Sequence, residues 1–365
     1  SQSFNFGRGL TADNTYANRN TSSFSVGANL SLPIFQGLRA VRQLSYSRTA
    51  LKATLEQVEA AKDDVTLNVI SQYLQALYAS EMLQVARVNL GISQSELDRR
   101  QALLDAGRLP GLDIHEARAQ VAQDELSVTN AVNDSIIARL DLAQLLNLPD
   151  AEGFDIAPLG DDERLLPSPD DVFANALQYN HTMRAGRLQE EAAEKNVALA
   201  KTGYIPTLSF SAGLGTNYYK TSGFDNEGFG AQMRHNFAKS IGFSLSIPIF
   251  DAFSTRNNVR RARAQQESIR LQLDDARNRL YKAIVQAHTQ AVGAIKKQES
   301  ARIAVESSEA AFEAMKVKYD NGRANATEFQ KAQSNYINSQ AQAVQAKYER
   351  ILRARILDFY NTQTL

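Results

Sequence analysis

The sequence predicts an α+β fold built as a tandem repeat, in which each copy has a strand hairpin followed by two long antiparallel helices. The repeat is the first observation, because residues 25–35 (SVGANLSLPIF) and 240–250 (SIGFSLSIPIF) are identical at seven of eleven positions. The same offset of 215 residues, without a gap, aligns 105–108 (DAGR) with 320–323 (DNGR). Such constant spacing indicates a rigid element in each copy, because loops tolerate insertions and packed helices do not.

Alternation of apolar and small polar residues is the second observation, and it is typical of strands with one apolar face. Within 23–35 every second residue is apolar or Ala, and the residues between them are Ser, Gly, Asn and Pro up to Pro33. Phe4 and Phe6 mark a further strand. We therefore expect four strands in two hairpins, which cover residues 3–34 and 205–250.

Long stretches that favour helix are the third observation. No proline occurs between Gln36 and Ala106, and a helix of that length would be roughly 105 Å long at about 1.5 Å per residue. Gly107 and Gly322 interrupt good helix formers, so each is expected in a left-handed turn that only Gly adopts without strain. The predicted helices cover residues 36–106, 112–146, 170–201, 254–321 and 326–360.

These elements divide the chain into repeat one (1–148), a linker rich in Pro and Gly (149–169) and repeat two (170–365). Ser168, Pro169 and two acids open the first helix of repeat two with an N-cap and first-turn signals. Repeat one has no counterpart of helix 170–201. By analogy between the copies, we expect that roughly 30–50 residues with this helix have been lost before residue 1.

Composition excludes several classes of function. Lys plus Arg equals Asp plus Glu at 40 each, so the global charge does not favour nucleic acid. The four His residues are scattered, and the Gly-x-Gly at residues 213–215 lies inside a strand pattern. No nucleophile elbow, phosphate loop or pair of catalytic acids is present. We therefore expect no enzyme, no metal and no cofactor. No apolar run reaches the length of a membrane-spanning helix, and Cys is absent, which suits an oxidising compartment.

The strands themselves need an explanation. Four short amphipathic strands cannot close a barrel, and an open sheet would expose edges and large apolar side chains. Either a soluble partner sheet or an oligomeric membrane barrel would cover them. Strands of about 9–12 residues suit the roughly 9–11 needed to span a bilayer. In a membrane barrel the lipid-facing residues would be Phe24, Val26, Leu30, Leu32, Phe210, Phe243, Leu245 and Ile247.

The doubled set of motifs resembles the TolC-type outer-membrane efflux channels, also called outer membrane factors. The Pro-Ile-Phe segments 33–35 and 248–250 are similar to the strand-to-helix junctions of that family. Segments 104–113 and 319–328 are similar to its two helical-hairpin tips, in which an acid follows Gly by six residues. Segment 205–208 resembles the entry to its third strand. The resemblance covers the whole chain apart from the missing first helix.

This resemblance implies a homotrimer whose twelve strands form one β-barrel, continued by an α-helical barrel across the periplasm. The chain would lie in the outer membrane of a Gram-negative bacterium, in contact with outer-membrane lipid. It would be the passive exit duct of a tripartite efflux or type I secretion system for drugs, metals or proteins. Its partners would be a periplasmic adaptor and, through it, an inner-membrane pump of the RND, ABC or MFS type.

The resemblance also assigns site residues. Around the two tips, the adaptor would meet Gly107, Arg108, Leu109, Gly322, Arg323 and Ala324. Asp113 and Tyr319 match residues that hold the family's tip shut, and Glu328 would place a ring of acid near the constriction. Ala324 stands where the family has an Arg, and Arg323 stands one position earlier. This departure argues against a salt bridge of the family's kind.

Three other classes of protein remain open on the sequence. A soluble coiled-coil scaffold with a small capping sheet would explain the helices, although it leaves the apolar strand faces unexplained. A pore-forming toxin or a phage tail component would also use oligomeric strands. An enzyme is the third. Solubility without detergent separates the scaffold from the barrel.

Overall fold

The computed structural model describes residues 2–10, 16–107, 111–148, 154, 156–157, 165–222 and 224–362. Strands and long helices follow one another along the chain as expected. The strands are β1 (Gln2–Leu10), β2 (Tyr16–Gln36), β3 (Thr207–Thr221) and β4 (Ala238–Ser246). The helices are α1 (Arg39–Asp105), α2 (Gly111–Leu145), α3 (Pro169–Tyr179), α4 (His181–Ala200), α5 (Phe229–His235), α6 (Ser254–Asp320) and α7 (Ala326–Thr362). A short 3₁₀ turn, Lys201–Tyr204, precedes β3.

The four strands form one antiparallel sheet in the order β1-β2-β3-β4. The register puts the apolar residues of neighbouring strands opposite one another, since Leu32 pairs with Phe210 and Phe210 pairs with Phe243. The centroids of the Phe210 and Phe243 rings lie 5.3 Å apart. On the other face small polar residues pair, as in the 2.8 Å hydrogen bond between the Ser3 and Ser23 hydroxyls. The part of the sheet formed by β2, β3 and β4 is therefore amphipathic.

The strands differ from the expected bounds at several ends. β2 begins at Tyr16, well before the first alternating residue, and β3 continues to Thr221. Polar residues in these extensions pair across the ladder in the same way as apolar ones, for example Ser22 with Lys220. Polarity alone therefore does not end a strand, because the backbone supplies the pairing groups.

Two predictions about individual strand residues need correction. Ile247, expected on a lipid-facing strand, lies one residue beyond the end of β4 at Ser246. Pro248 follows it and has no N–H for a ladder, while β3 begins at Thr207, the partner of Ser246. Ile34 also leaves the alternation, because the register shifts between Pro33 and Phe35. A β-bulge shifts the register in this way, and proline within a sheet is often found at a bulge.

The single helix predicted over 170–201 is wrong, because two helices occupy this stretch. Asn180 lies between α3 and α4 in an extended conformation, with φ −62° and ψ 120°. Its side-chain oxygen accepts the N–H of Met183 at 3.1 Å, and its own N–H donates to the Ala176 carbonyl. Asn therefore ends one helix and caps the next. The predicted cap at Ser168 is confirmed, since its hydroxyl accepts the N–H of Asp171.

Both strand-to-helix junctions use two consecutive left-handed residues. These are Gly37 and Leu38 before α1, and Ala252 and Phe253 before α6, with φ between 51° and 63°. The two pairs are related by the 215-residue offset of the repeat. At Gly37 a Cβ would lie 2.6 Å from the Ile205 Cβ, so a larger residue has no room there. The long helix predicted from residue 36 accordingly begins at Arg39.

The chain forms two compact units. One comprises Ser1–Lys52 with Leu188–Leu271 and holds the sheet; the other comprises Ala53–Arg187 with Gln272–Leu365 and holds most of the helices. Each unit therefore contains chain segments from both sides of the predicted linker. In the second unit, one cluster of buried residues groups Val172 and Met183 with Ile284 and Leu357.

Within the described ranges, no helix is long and apolar enough to cross a membrane.

Candidate functional site

Both helix-hairpin tips begin with the left-handed glycine that the sequence predicts. Gly107 and Gly322 each have φ 68°, and a Cβ added at either would meet nothing within 4 Å. The left-handed backbone conformation therefore favours Gly at both positions, whereas the space around them would admit a larger side chain. Arg108 and Leu109 lie outside the described residues, as does the side chain of Asp113.

The second tip has the hydrogen bonds of a Schellman motif. The N–H of Gly322 donates to the Tyr319 carbonyl at 3.0 Å, and the N–H of Arg323 donates to the Lys318 carbonyl at 2.8 Å. These bonds satisfy carbonyls at the end of α6 that have no helical partner. At the first tip, the N–H of Gly107 donates to the Leu104 carbonyl at 2.8 Å. The left-handed Gly and this bond from its N–H are therefore common to the ends of α1 and α6.

Glu328, assigned to the gate by resemblance, has a local partner in the structure. Its carboxylate accepts the N–H of Asn325 at 3.0 Å, and its own N–H donates to the Asn325 side-chain oxygen at 2.8 Å. This reciprocal pair is a capping box at the start of α7. The spacing Asn-x-x-Glu was present in the sequence and could have revealed it. Both residues remain exposed.

Replacing Asn325 with Ala is expected to loosen the first turn of α7 by about 1 kcal/mol, because an N-cap oxygen is lost. Glu328→Gln should have a much smaller effect, since an amide oxygen still accepts the N–H of Asn325. Amide hydrogen exchange at Glu328 and Phe329 measures how far the first turn of α7 is loosened in each variant. Unchanged exchange in the Asn325 variant would show that the cap does not stabilise the tip.

A cluster of charged and aromatic side chains joins α1 to α6 just behind the tips. The Tyr319 hydroxyl donates to Oε1 of Glu96 at 2.6 Å. Nε of Arg100 donates to the same oxygen at 2.8 Å. Arg99 forms an ion pair of 3.1 Å with Asp320, and its guanidinium carbon lies 4.5 Å from the centre of the Tyr319 ring. We call these five residues the tip latch.

Burial and charge set the protonation of the tip latch. Burial raises the pKa of Tyr319, and the hydrogen bond to Glu96 and its negative charge raise it further. Burial alone would lower the pKa of Arg100, but the hydrogen bond to Glu96 and the nearby Tyr319 raise it overall. At neutral pH Tyr319 is therefore a neutral donor and Arg100 a cation. The Tyr319 ring also stacks on Phe329 of α7, with centroids 4.8 Å apart.

The sequence did not identify Glu96, Arg99 and Arg100. Their spacing of three and four residues is that of an ion pair along one helix, but nothing in it points to Tyr319, which is 223 residues from Glu96. The resemblance paired Tyr319 with Asp113 instead. The Tyr319 hydroxyl has one proton to donate. In the structure it donates this proton to Glu96.

A buried polar network ties α1, α2 and α7 together further along the hairpins. The carboxylate of Asp124 accepts from the Asn89 amide at 2.9 Å and from the Ser93 hydroxyl. From α7, Gln333 donates to the Asn89 side-chain oxygen at 2.9 Å. Asp124, Ser93 and Gln333 are buried. Because buried polar groups are costly to leave unpaired, this network holds the three helices in one register.

The apolar face of the sheet is the second candidate site. Ile241, Phe243, Leu245 and Leu30 are 77%, 69%, 63% and 58% exposed. Of the residues expected to face lipid, Phe24 is partly covered, because its ring lies 6.2 Å from that of Phe229 in α5. An apolar face that is uncovered at most of its residues marks an interaction surface.

Comparison with known proteins agrees with this architecture. The family model for outer membrane efflux proteins matches residues 3–148 and 172–359. The chain is 23% identical over 346 residues to outer membrane protein TolC of Vibrio cholerae serotype O1, covering 92% of this chain and 76% of that protein. It is 22% identical over 356 residues to outer membrane efflux protein BepC of Brucella suis, covering 97% and 75%.

A solved structure shares the fold. The CmeC outer membrane channel of Campylobacter jejuni matches with a TM-score of 0.77 at 18% identity, covering 99% of this chain and 76% of that chain. The family is one of transport channels and not of enzymes. The chain therefore belongs to the outer membrane efflux protein family and is a TolC-type outer-membrane channel of efflux or type I secretion systems.

Proposed function

We propose that three copies of this chain form one twelve-stranded barrel in the outer membrane. The observation that carries this proposal is the open sheet. β1 and β4 each have a strand on one side only, and an unpaired edge invites pairing with another chain. Joining β4 of one protomer to β1 of the next removes every edge. The apolar face then lies against lipid and the Ser and Gly face lines a wet lumen.

The long helices of three protomers form the periplasmic duct in this proposal. Its partners are a periplasmic adaptor and, through the adaptor, an inner-membrane pump of the RND, ABC or MFS type. The adaptor contacts the tips at Gly107, Arg108, Leu109, Gly322, Arg323 and Ala324. The left-handed conformation shared by Gly107 and Gly322 supports this, because both long helices end in the same backbone conformation next to the proposed contacts. The channel itself is passive, and drugs, metals or proteins pass through it.

The tip latch keeps the duct closed at rest. Glu96 and Arg99 of α1 hold Tyr319 and Asp320 at the end of α6, so breaking these bonds releases the tip of the α6–α7 hairpin. Gln333 stays tied to α1 and α2 through the Asp124 network, which limits the movement to the part of the hairpin beyond it. Asp113 and Glu328 remain candidate gate residues, the latter as a ring of acid that favours cations.

Oligomeric state and conductance together test the proposed function. Native mass measurement in detergent should give three chains, and the protein should form ion-conducting pores in planar bilayers. Because the monomer has two open sheet edges, a stable monomer that is soluble without detergent would contradict the barrel. That result would favour the coiled-coil scaffold.

A further inference from the structure

The junction between β4 and α6 exposes large apolar side chains. Ile249 is 94% exposed and Phe250 is 74% exposed, and the Phe250 ring packs edge-to-face on that of Phe253 at 5.5 Å. Phe253 adopts a left-handed conformation that favours glycine, as does Leu38 at the other junction. Such a conformation costs energy in a residue other than glycine and persists only where the surrounding structure requires it. The Phe253 side chain is exposed as well.

A stripe of arginines follows directly on α6. Arg256, Arg260 and Arg263 recur at spacings of four and three, so they share one side of the helix. They are exposed, next to the buried side formed by Thr255, Val259 and Ala262. No acid occurs between residues 252 and 266. Across the described part of the chain, none of the three forms an ion pair with a carboxylate.

This charge distribution opposes the helix dipole. The start of a helix favours acids and disfavours cations, and α3 and α7 follow this rule with acids in their first turns. α6 has none in its first turn. The preceding acid, Asp251, directs its carboxylate to the N–H of Thr255 at 2.7 Å, so it satisfies the backbone and not the arginines. An external anion would balance this positive stripe.

We propose that Arg256 and Arg260 bind the headgroups of anionic phospholipids in the periplasmic leaflet of the outer membrane, beside Phe250 and Phe253 at the acyl boundary. The proposal rests on the membrane barrel proposed above. Aromatic and basic residues together are typical of a membrane interface. A rise of about 1.5 Å per residue puts Arg256 roughly 3 Å and Arg260 roughly 9 Å along α6 from Ser254. A headgroup layer is about 5–8 Å thick, so Arg256 lies within it. The long side chain of Arg260 tilts back towards the start of the helix and reaches it from just outside.

Lipid retention tests the proposal. The protein is inserted into nanodiscs of equal parts phosphatidylglycerol and phosphatidylcholine, and native mass spectrometry counts the lipids that stay bound. Wild type should retain phosphatidylglycerol in preference. R256Q/R260Q should lose this preference by about fivefold for each arginine removed. R256K/R260K should keep part of it, because Lys still attracts a phosphate as a point charge.

The matched control is R270Q/R279Q, which removes the same charge from exposed positions of α6 where each Arg already pairs with a carboxylate. It should retain phosphatidylglycerol as wild type does. Wild-type retention by R256Q/R260Q, or an equal loss in the control, would overturn the proposal. Insertion without any preference for phosphatidylglycerol would overturn this inference alone, whereas failure of the wild type to insert would overturn the barrel as well.

Discussion

Replacing Leu30 with Arg is expected to prevent most of the protein from inserting into outer membranes. Leu30 is exposed on the apolar face, and it lies six residues before the end of β2 at Gln36. Six residues of a tilted strand correspond to about 14 Å of depth, close to the middle of the bilayer. There a lipid-facing Arg costs roughly 2–4 kcal/mol, and the proposed trimer would carry three of them.

Ser31→Arg is the control for this prediction, because Ser31 neighbours Leu30 but lies on the small polar face and pairs with Ser211. It should insert nearly as well as wild type. Leu245→Arg should be intermediate, since Leu245 lies one residue from the end of β4 and the cost falls towards the interface. Membrane fractionation and the yield of trimers measure all three variants. Equal losses at Leu30 and Ser31 would contradict a lipid-facing sheet.

Removing the tip latch is expected to open the channel. Tyr319→Phe deletes the hydroxyl that donates to Glu96, a hydrogen bond to a charged group that contributes about 1.5–3 kcal/mol, while the ring keeps its contact with Phe329. Asp320→Asn removes the charge that Arg99 pairs with. The double variant should have a higher single-channel conductance in planar bilayers than either single variant. Glu96 and Arg100 keep each other as partners, so the fold should be retained.

Tyr336→Phe is the matched control for the latch. Its hydroxyl donates to Glu309 at 3.3 Å, and this bond lies within the α6–α7 hairpin and does not join that hairpin to α1. Its conductance should therefore equal that of wild type. If the double latch variant conducts no better than this control, Tyr319 and Asp320 do not hold the tip closed.

The latch should also respond to alkaline pH. Because the folded pKa of Tyr319 is raised, its hydrogen bond is complete below the ordinary tyrosine value of about 10. The bond is lost as the pH rises through the higher folded value, where a phenolate would face the Glu96 carboxylate. Wild-type conductance should rise only above about pH 10. The Tyr319→Phe variant should lack this step.

Several features of the chain depend on a few neighbouring residues, and the sequence predicted them. Gly107 and Gly322 were expected in left-handed turns and both have φ 68°. Ser168 was expected to cap a helix and does so. The long helix predicted over 254–321 is observed as Ser254–Asp320. Each of these follows from local preferences of the backbone, so one sequence is enough.

The tertiary structure decided the rest. The sequence did not show that Asn180 would divide a helix, that β4 would end before Ile247, or that Tyr319 would bond to Glu96. The end of β4 depends on the register with β3, and the latch joins residues 223 positions apart. The sequence by itself thus determined the repeated elements, their turns and the amphipathic strands. Strand register and latch partners arise only when distant segments pack, because no local preference of the chain encodes which distant group a side chain will meet.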